Sequence, residues 1–172
     1  MELSKAKEIA AGIVAQLKPY CERLEVAGSI RRGKPEVHDI DLVVIPTGQQ
    51  FYKALQQLGK VTGGPKIYKV ELPVVSQGKP FCVDINIATE KTWATLLLVK
   101  TGSKEHNIML CKLAHSKHMK LHADGSGLLR DSGEIDMFGG QIHYADNWIP
   151  CATETDIFNA LGLNYKAPGE RG

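Results

Sequence analysis

The sequence has no CxxC pair, no leader-like start and no long apolar run, and each absence narrows its setting. Cys21, Cys82, Cys111 and Cys151 are widely spaced without a CxxC pair, so a reducing, intracellular location is the simplest expectation. No charged start leads into an apolar stretch, and the longest such run, Trp93 to Val99, is far too short to span a bilayer. A cytoplasmic chain with no membrane partner is expected. Repeats and low-complexity segments are missing, and nothing supports oligomerisation, so a monomer is expected. Strong net charge is missing as well: +2 neither demands nor excludes nucleic acid.

The charge that is present is unevenly placed. Lys100, Lys104, Lys112, Lys117 and Lys120 face one acid, Glu105, over a predicted helix and its flanks. From Asp124 to Asp156 seven acids stand against Arg130 alone. A solvated helix face is the commoner explanation for such a lysine run, with a binding surface the other reading. A chain of 172 residues holds one domain with a real core, or two small lobes sharing an interface.

Periodicity predicts the main elements. Ser4 is a candidate N-cap for a helix with Ile9, Ala10, Ile13, Val14 and Leu17 at helical spacing, ending before Pro19. A strand from about Arg23 to Ile30 is expected next, then a strand from Asp39 to Ile45 and a short helix from Gln49 to Leu58. Strands over about Lys66 to Val75 and Phe81 to Ala88 flank the turn Ser76, Gln77, Gly78, Lys79, Pro80 and read as a hairpin.

The richest segment runs from Gly28 to Val43, GSIRRGKPEVHDIDLV. Asp39 and Asp41 are separated by one residue, so on a strand both carboxylates leave the same face and can share divalent cations. Magnesium favours oxygen ligands, typically one or two carboxylates plus substrate phosphates, and Arg31 and Arg32 supply matching phosphate donors. A solvated strand edge would give the same spacing. Against that reading, Leu42, Val43, Val44 and Ile45 form a buried-strand run, and carboxylates entering it carry a desolvation cost that a cation offsets. Asp84 lies in a second apolar strand among Phe81, Val83, Ile85 and Ile87. Pairing of the two strands would complete a three-carboxylate cluster for two metal ions about 3.5 to 4 Å apart.

With these residues assembled, the chain resembles the DNA polymerase family X branch of the nucleotidyltransferases. Three segments carry the resemblance: the opening motif with Gly28, Ser29, Arg31, Arg32, Gly33, Asp39 and Asp41; TGSKEHN from Thr101 to Asn107; and the tail TETDIFNALGLNYKAPGERG from Thr153. In the tail, Thr153 and Asp156 also form a capping box. The resemblance implies an α+β fold: a nucleotidyltransferase palm, a mixed sheet with helices on one face, over residues 1–98, then a small α/β thumb over 99–172. It implies that Asp39, Asp41 and Asp84 hold two Mg²⁺ ions, with Mn²⁺ able to substitute, and that Asp84 helps activate a primer 3′-hydroxyl. Gly28, Ser29, Arg32 and the backbone around His38 and Asp39 would bind the triphosphate. Thr101, Gly102, Ser103 and Asn107 would face the nucleotide, with a cis peptide between the Gly and Ser positions. For the TGS segment alone, an ordinary helix N-cap is the competing reading. Lys104, Cys111, Lys112 and His115 would face DNA.

Departures from the family pattern are specific. Val99 and Lys100 stand where many members carry aromatics, which puts sugar discrimination in question. Cys111 replaces an arginine that probes the nascent pair, Asn86 replaces another, and His122 and Ala123 stand in for a polar and aromatic pair unless the run Gly125, Ser126, Gly127 displaces it. The chain starts at the helix before the catalytic motif, so a minimal palm-and-thumb enzyme without lyase activity is expected, like compact viral relatives, which would act in a host cytoplasm.

Cys111, His115, His118 and His122 fall at helical spacing but cannot all converge on one zinc ion from a straight helix that ends near Lys117, so a polar face toward DNA is the better reading. His106 is either a local polar contact or a plain surface histidine. Trp93 and Trp148 are expected in packing, with base stacking the minority option for Trp148. The expected function is template-dependent addition of deoxynucleoside triphosphates to primer-template or gapped DNA in short-gap repair. Two alternatives stay open: a nucleotidyltransferase acting on a small molecule or RNA end, and a noncatalytic nucleic-acid-binding module.

Overall fold

The computed structural model describes residues 1–130 and 147–172. Asp131, Glu134, Asp136 and Asp146, part of the acidic run, lie outside the described residues.

Helix α1 (Leu3–Leu17) buries Ala6, Ala10, Ile13 and Leu17, a stripe at the spacing of one helical face. Its N-cap is Glu2 rather than Ser4, and no side chain caps it. The start is set by tertiary contacts instead: the Leu3 amide donates to the Pro35 carbonyl, and the terminal ammonium of Met1 donates to the Val37 carbonyl at 2.9 Å. A 3₁₀ turn, Lys18–Tyr20, carries Pro19 and leads into strand β1 (Cys21–Val26).

The strand expected up to Ile30 stops at Val26, because Gly28–Arg31 form a single helical turn, α2. Gly28 enters it at φ +61°, and a Cβ there would meet Asp41 Oδ2 at 2.1 Å, so both backbone and space require glycine. Strand β2 (Asp39–Pro46) and helix α3 (Gln50–Leu58) follow close to the expected bounds. Strand β3 (Lys60–Gly64) had no sequence signal: KVTGG lacks alternation, and it holds as an edge strand through its ladder with β4. Strands β4 (Ile67–Ser76) and β5 (Lys79–Ile87) form the expected hairpin.

The five strands order as β1-β2-β5-β4-β3, with β2 and β5 parallel and the other pairs antiparallel, a mixed sheet. Alternation sorts the faces. Ile40, Leu42 and Val44 of β2 and Phe81, Val83 and Ile85 of β5 are buried in one core with α1 and α3. Burying a side chain of this size stabilises by roughly 1.5–3 kcal/mol. On the other face, Val43 and Ile45 pack with Ala88, Trp93, Leu96 and Leu97 under helix α4 (Trp93–Thr101).

Helix α4 is buried nearly all round, from Trp93 to Leu98. Its remaining side, Ala94 and Leu98, belongs to a second core. That core includes Leu110 and Ala114 of α5 (Lys104–Ser116), Leu121 of β6 (Met119–Leu121), Leu128 of β7 (Leu128–Arg130), and Ile157 and Phe158 of α6 (Glu154–Ala160). The chain is therefore α+β, a mixed five-stranded sheet followed by a small α/β unit, with α4 shared between their cores. No helix among the described residues is long and apolar enough to cross a membrane. Trp93 is buried under the sheet, and the Trp148 ring covers Gly127, where a Cβ would sit 2.0 Å from it.

Candidate active site

Burial alternates along the start of β2: Ile40 and Leu42 are buried, and Asp39 and Asp41 are partly exposed on the opposite face. That face is the one α4 covers further along at Val43 and Ile45, so the two carboxylates continue an apolar row past the helix's reach. Parallel pairing sets Asp41 directly beside Asp84 of β5 and Asp39 beside Cys82. The strands thus bring Asp39, Asp41 and Asp84 to one end of the sheet. Their proximity is electrostatically visible: burial, then the charges of Asp39 and Asp84, raise the Asp41 carboxyl to about 6, opposed by Lys100 and Arg32.

The carboxylates do not yet converge. Among the described residues no group of three His, Cys, Asp or Glu side chains is placed to hold one metal ion. Asp41 leans against Gly28, and Asp84 Oδ1 sits 3.4 Å from Lys69 Nζ. The donor chemistry nevertheless suits a hard divalent cation: all the ligands are oxygen, and Asp84 Oδ1 is buried without a hydrogen-bond donor.

Beside the carboxylates lies turn α2. Ser29 Oγ is buried and without a hydrogen-bond partner, and so is Arg32 Nε, while Arg32 Nη1 donates to the Thr101 carbonyl. His38 is exposed. The two arginines part company here. Arg31, expected as a second phosphate donor, is engaged internally: it donates to Thr101 Oγ1 at 2.7 Å and to both oxygens of Glu154 at 2.7 and 2.8 Å.

Glu154 is shared. Arg171, whose side chain is fully buried, donates from Nη1 to Glu154 Oε1 at 2.7 Å and from Nε and Nη2 to the Lys166 carbonyl. Burial pulls the Glu154 carboxyl up, but hydrogen bonds from Arg31 and Arg171 outweigh it and hold it below the usual range. Nothing in the sequence announced this clamp, because Glu154 reads there as an ordinary first-turn acid. Its cap does follow the sequence, with a reciprocal Thr153 and Asp156 box.

Thr101 ends α4, the Gly102–Ser103 peptide is cis, and Ser103 caps α5 by accepting from the His106 amide at 3.3 Å. Arg32, Val99, Lys100, Gly102, Lys104 and Asn107 line a cleft of about 580 Å³, together with Cys111 and Lys112 further along α5. Asn107 donates to the Val99 carbonyl at 2.8 Å, leaving its buried Oδ1 without a partner. His115 is exposed beyond the cleft.

His106 is neither a surface histidine nor a polar contact. It is buried against Phe158 with both ring nitrogens unpartnered, and burial, then Arg171 and Lys166, lower it to about 4. The imidazole is therefore neutral near pH 7. The cysteine and histidine row also disperses: α5 ends at Ser116, His118 adopts φ +53°, and His122 follows β6.

Comparison with known proteins now fits this arrangement. Residues 96–172 match the family model described as DNA polymerase beta thumb. The chain is 31% identical over 165 residues to DNA polymerase lambda of Rattus norvegicus, covering 84% of this chain and 28% of that protein. It spans under a third of that relative's length. In fold it superposes on Leishmania infantum polymerase beta in a ternary P/T complex with a TM-score of 0.81 at 20% identity, covering 100% of this chain and 76% of the other. Against the same protein in a ternary gap complex the TM-score is 0.79, also at 20% identity, covering 99% and 70%. The fold is that of these polymerases, with Asp39, Asp41 and Asp84 at one end of its five-stranded sheet and turn α2 beside them. The chain is similar to DNA polymerases of family X, and its C-terminal part matches their thumb.

Proposed function

We propose that the chain is a template-dependent DNA polymerase that transfers deoxynucleotides from their triphosphates to a primer 3′-hydroxyl during short-gap filling. The observation that carries this is the coupling of Asp41 to Asp39 and Asp84 beside the unpartnered Ser29 hydroxyl, with a lysine-edged cleft adjoining. In this reading Asp39, Asp41 and Asp84 hold two Mg²⁺ ions, or Mn²⁺ in their place. Bound there, the metals would polarise the attacking oxygen and neutralise the pyrophosphate. The relatives solved in ternary P/T and gap complexes support primer-template or gapped DNA as the partner.

The chain's own residues do the positioning. Ser29 and Arg32 grip the triphosphate: Arg32 Nε is buried without an acceptor, and its charge lies close enough to act on Asp41. Phosphoryl transfer needs in-line alignment and charge stabilisation more than a nucleophilic side chain, which such a site supplies. Asn107 Oδ1 offers an acceptor within the cleft. Val99 and Lys100 line the same wall, and among the described residues no aromatic lines it for the sugar to pack against. In this reading Lys104, Cys111, Lys112 and His115 of α5 meet the duplex. We further propose a palm over 1–98 and a thumb over 99–172, joined along α4.

The test is primer extension with Mg²⁺ on templated, gapped and single-stranded DNA, with Asp41→Ala and Asp84→Ala as controls. Templated incorporation that falls by about three orders of magnitude or more in either variant is expected, the scale of losing a principal charge stabiliser. Absence of extension by the native chain would end the polymerase reading. Incorporation blind to the template base would turn it into a terminal transferase.

A further inference from the structure

Asp84 is the one carboxylate of the cluster with an ion-pair partner among the described residues, and that partner comes from a neighbouring strand. Lys69 of β4 and Asp84 of β5 are directly opposed in the antiparallel ladder, with Nζ 3.4 Å from Oδ1. Opposed residues have Cβ atoms about 5 Å apart, so register imposes the encounter. The next pair in the ladder is Val70 with Val83, both fully buried. A one-residue slip would turn those valines out of the core, which locks Lys69 against Asp84.

Lys100 and Arg32 act on Asp41 from a distance, but among the described residues no other cation is in an ion pair with Asp84. Along β5 the same-face neighbours of Asp84 are Cys82 and Asn86, both uncharged, and the Asn86 amide donates to the carbonyls of Leu42 and Asp84. Neither Asp39 nor Asp41 is in an ion pair within 4.0 Å among the described residues. The Lys69 contact is also easily opened. Asp84 Oδ1 accepts no hydrogen bond, and the Lys69 side chain is 49% exposed. Such pairs contribute little and exchange readily with water.

We propose that Lys69 is the resident counter-ion of the carboxylate cluster, holding Asp84 when no metal is bound and releasing it to a divalent cation. It is a positioning residue acting through Asp84, and the proposal rests on reading Asp39, Asp41 and Asp84 as the metal site. The lysine keeps three neighbouring carboxylates tolerable in the unloaded chain, and it competes with the ion it makes room for. Removing its charge therefore raises affinity for the ion and lowers stability without it.

The experiment is a Mn²⁺ titration of the full chain without DNA or nucleotide, with free Mn²⁺ read by electron paramagnetic resonance. Lys69→Arg should match the native chain, Lys69→Met should bind about threefold more tightly, and Lys69→Glu more tightly still. Structural damage would weaken binding and would not rank by charge. In chelator, Lys69→Met should melt below the native chain, and that loss should vanish in an Asp84→Asn background. If Lys69→Met and Lys69→Glu bind no more tightly while Asp84→Ala abolishes binding, the counter-ion proposal fails and the metal reading stands. If the native chain binds no Mn²⁺, or Asp84→Ala leaves binding intact, the metal reading falls and takes the proposal with it.

Discussion

Two polar clusters face each other across α2, built from the same residue types and left in opposite states. At the sheet end, Asp39, Asp41 and Asp84 share one weak ion pair, and Ser29 Oγ, Arg32 Nε and Asp84 Oδ1 lack hydrogen-bond partners. Under the C-terminus, Glu154 receives both Arg31 and Arg171, and Arg171 uses its remaining donors on the Lys166 carbonyl. The adjacent arginines divide between them. Arg31 is spent on holding the two parts of the chain together, and Arg32 keeps a free donor. Unpaired buried polar groups are costly, and in the function proposed above a bound nucleotide and metal would give Ser29, Arg32 and Asp84 the partners they lack.

The largest effect should come from breaking the satisfied side. Glu154→Ala leaves the fully buried Arg171 without its carboxylate, and denaturant unfolding should show a loss of about 3–5 kcal/mol. A chain with native stability after that change would mean the clamp contributes nothing. The arginines should then separate by readout. Arg32→Ala should raise the nucleotide KM about tenfold or more with little change in melting temperature, as for a lost charge-assisted hydrogen bond of roughly 1.5–3 kcal/mol. Arg31→Ala should lower melting temperature first. Equal KM effects for both would erase the division.

Asp41 allows a pH test of opposite sign to the clamp. Its carboxyl is raised to about 6 in the fold, so the folded chain binds that proton more tightly than the unfolded one, and ionisation costs stability as pH rises. Asp41→Asn should therefore raise the melting temperature above pH 6, and the gain should fade towards pH 4. A melting difference independent of pH would remove the repulsion argument. The smallest effect belongs to the cleft edge: Lys112→Ala should reduce the salt slope of DNA binding by about one if that lysine meets a phosphate. An unchanged slope returns Lys112 to the solvated face.

Much of the site could be read in the linear chain because its signals are local. Asp39 and Asp41 share a face by strand alternation alone, and Asp84 was conspicuous as an acid inside an apolar strand. The Thr153 box needed only four residues, and it formed as read. The misreadings fall where the deciding contact is remote. The strand drawn through to Ile30 ends at Val26 because the Asp41 side chain and a left-handed Gly28 turn the chain into α2. His106 was open between surface and polar roles because Phe158, which covers it, lies some fifty residues on.

The sequence by itself determined the apolar stripes, the strand faces and the inventory of carboxylates and cations, since these follow from periods of 2 and 3.6 residues and from which side chains ionise. Tertiary structure decided pairing. The parallel β2–β5 register set Asp41 beside Asp84, the β4–β5 ladder delivered Lys69, and packing of α6 against α4 gave Arg31 rather than Arg32 to Glu154. Charges are fixed by chemistry at each residue, but which charge meets which depends on distances between segments far apart in the chain, and only the packed core sets those.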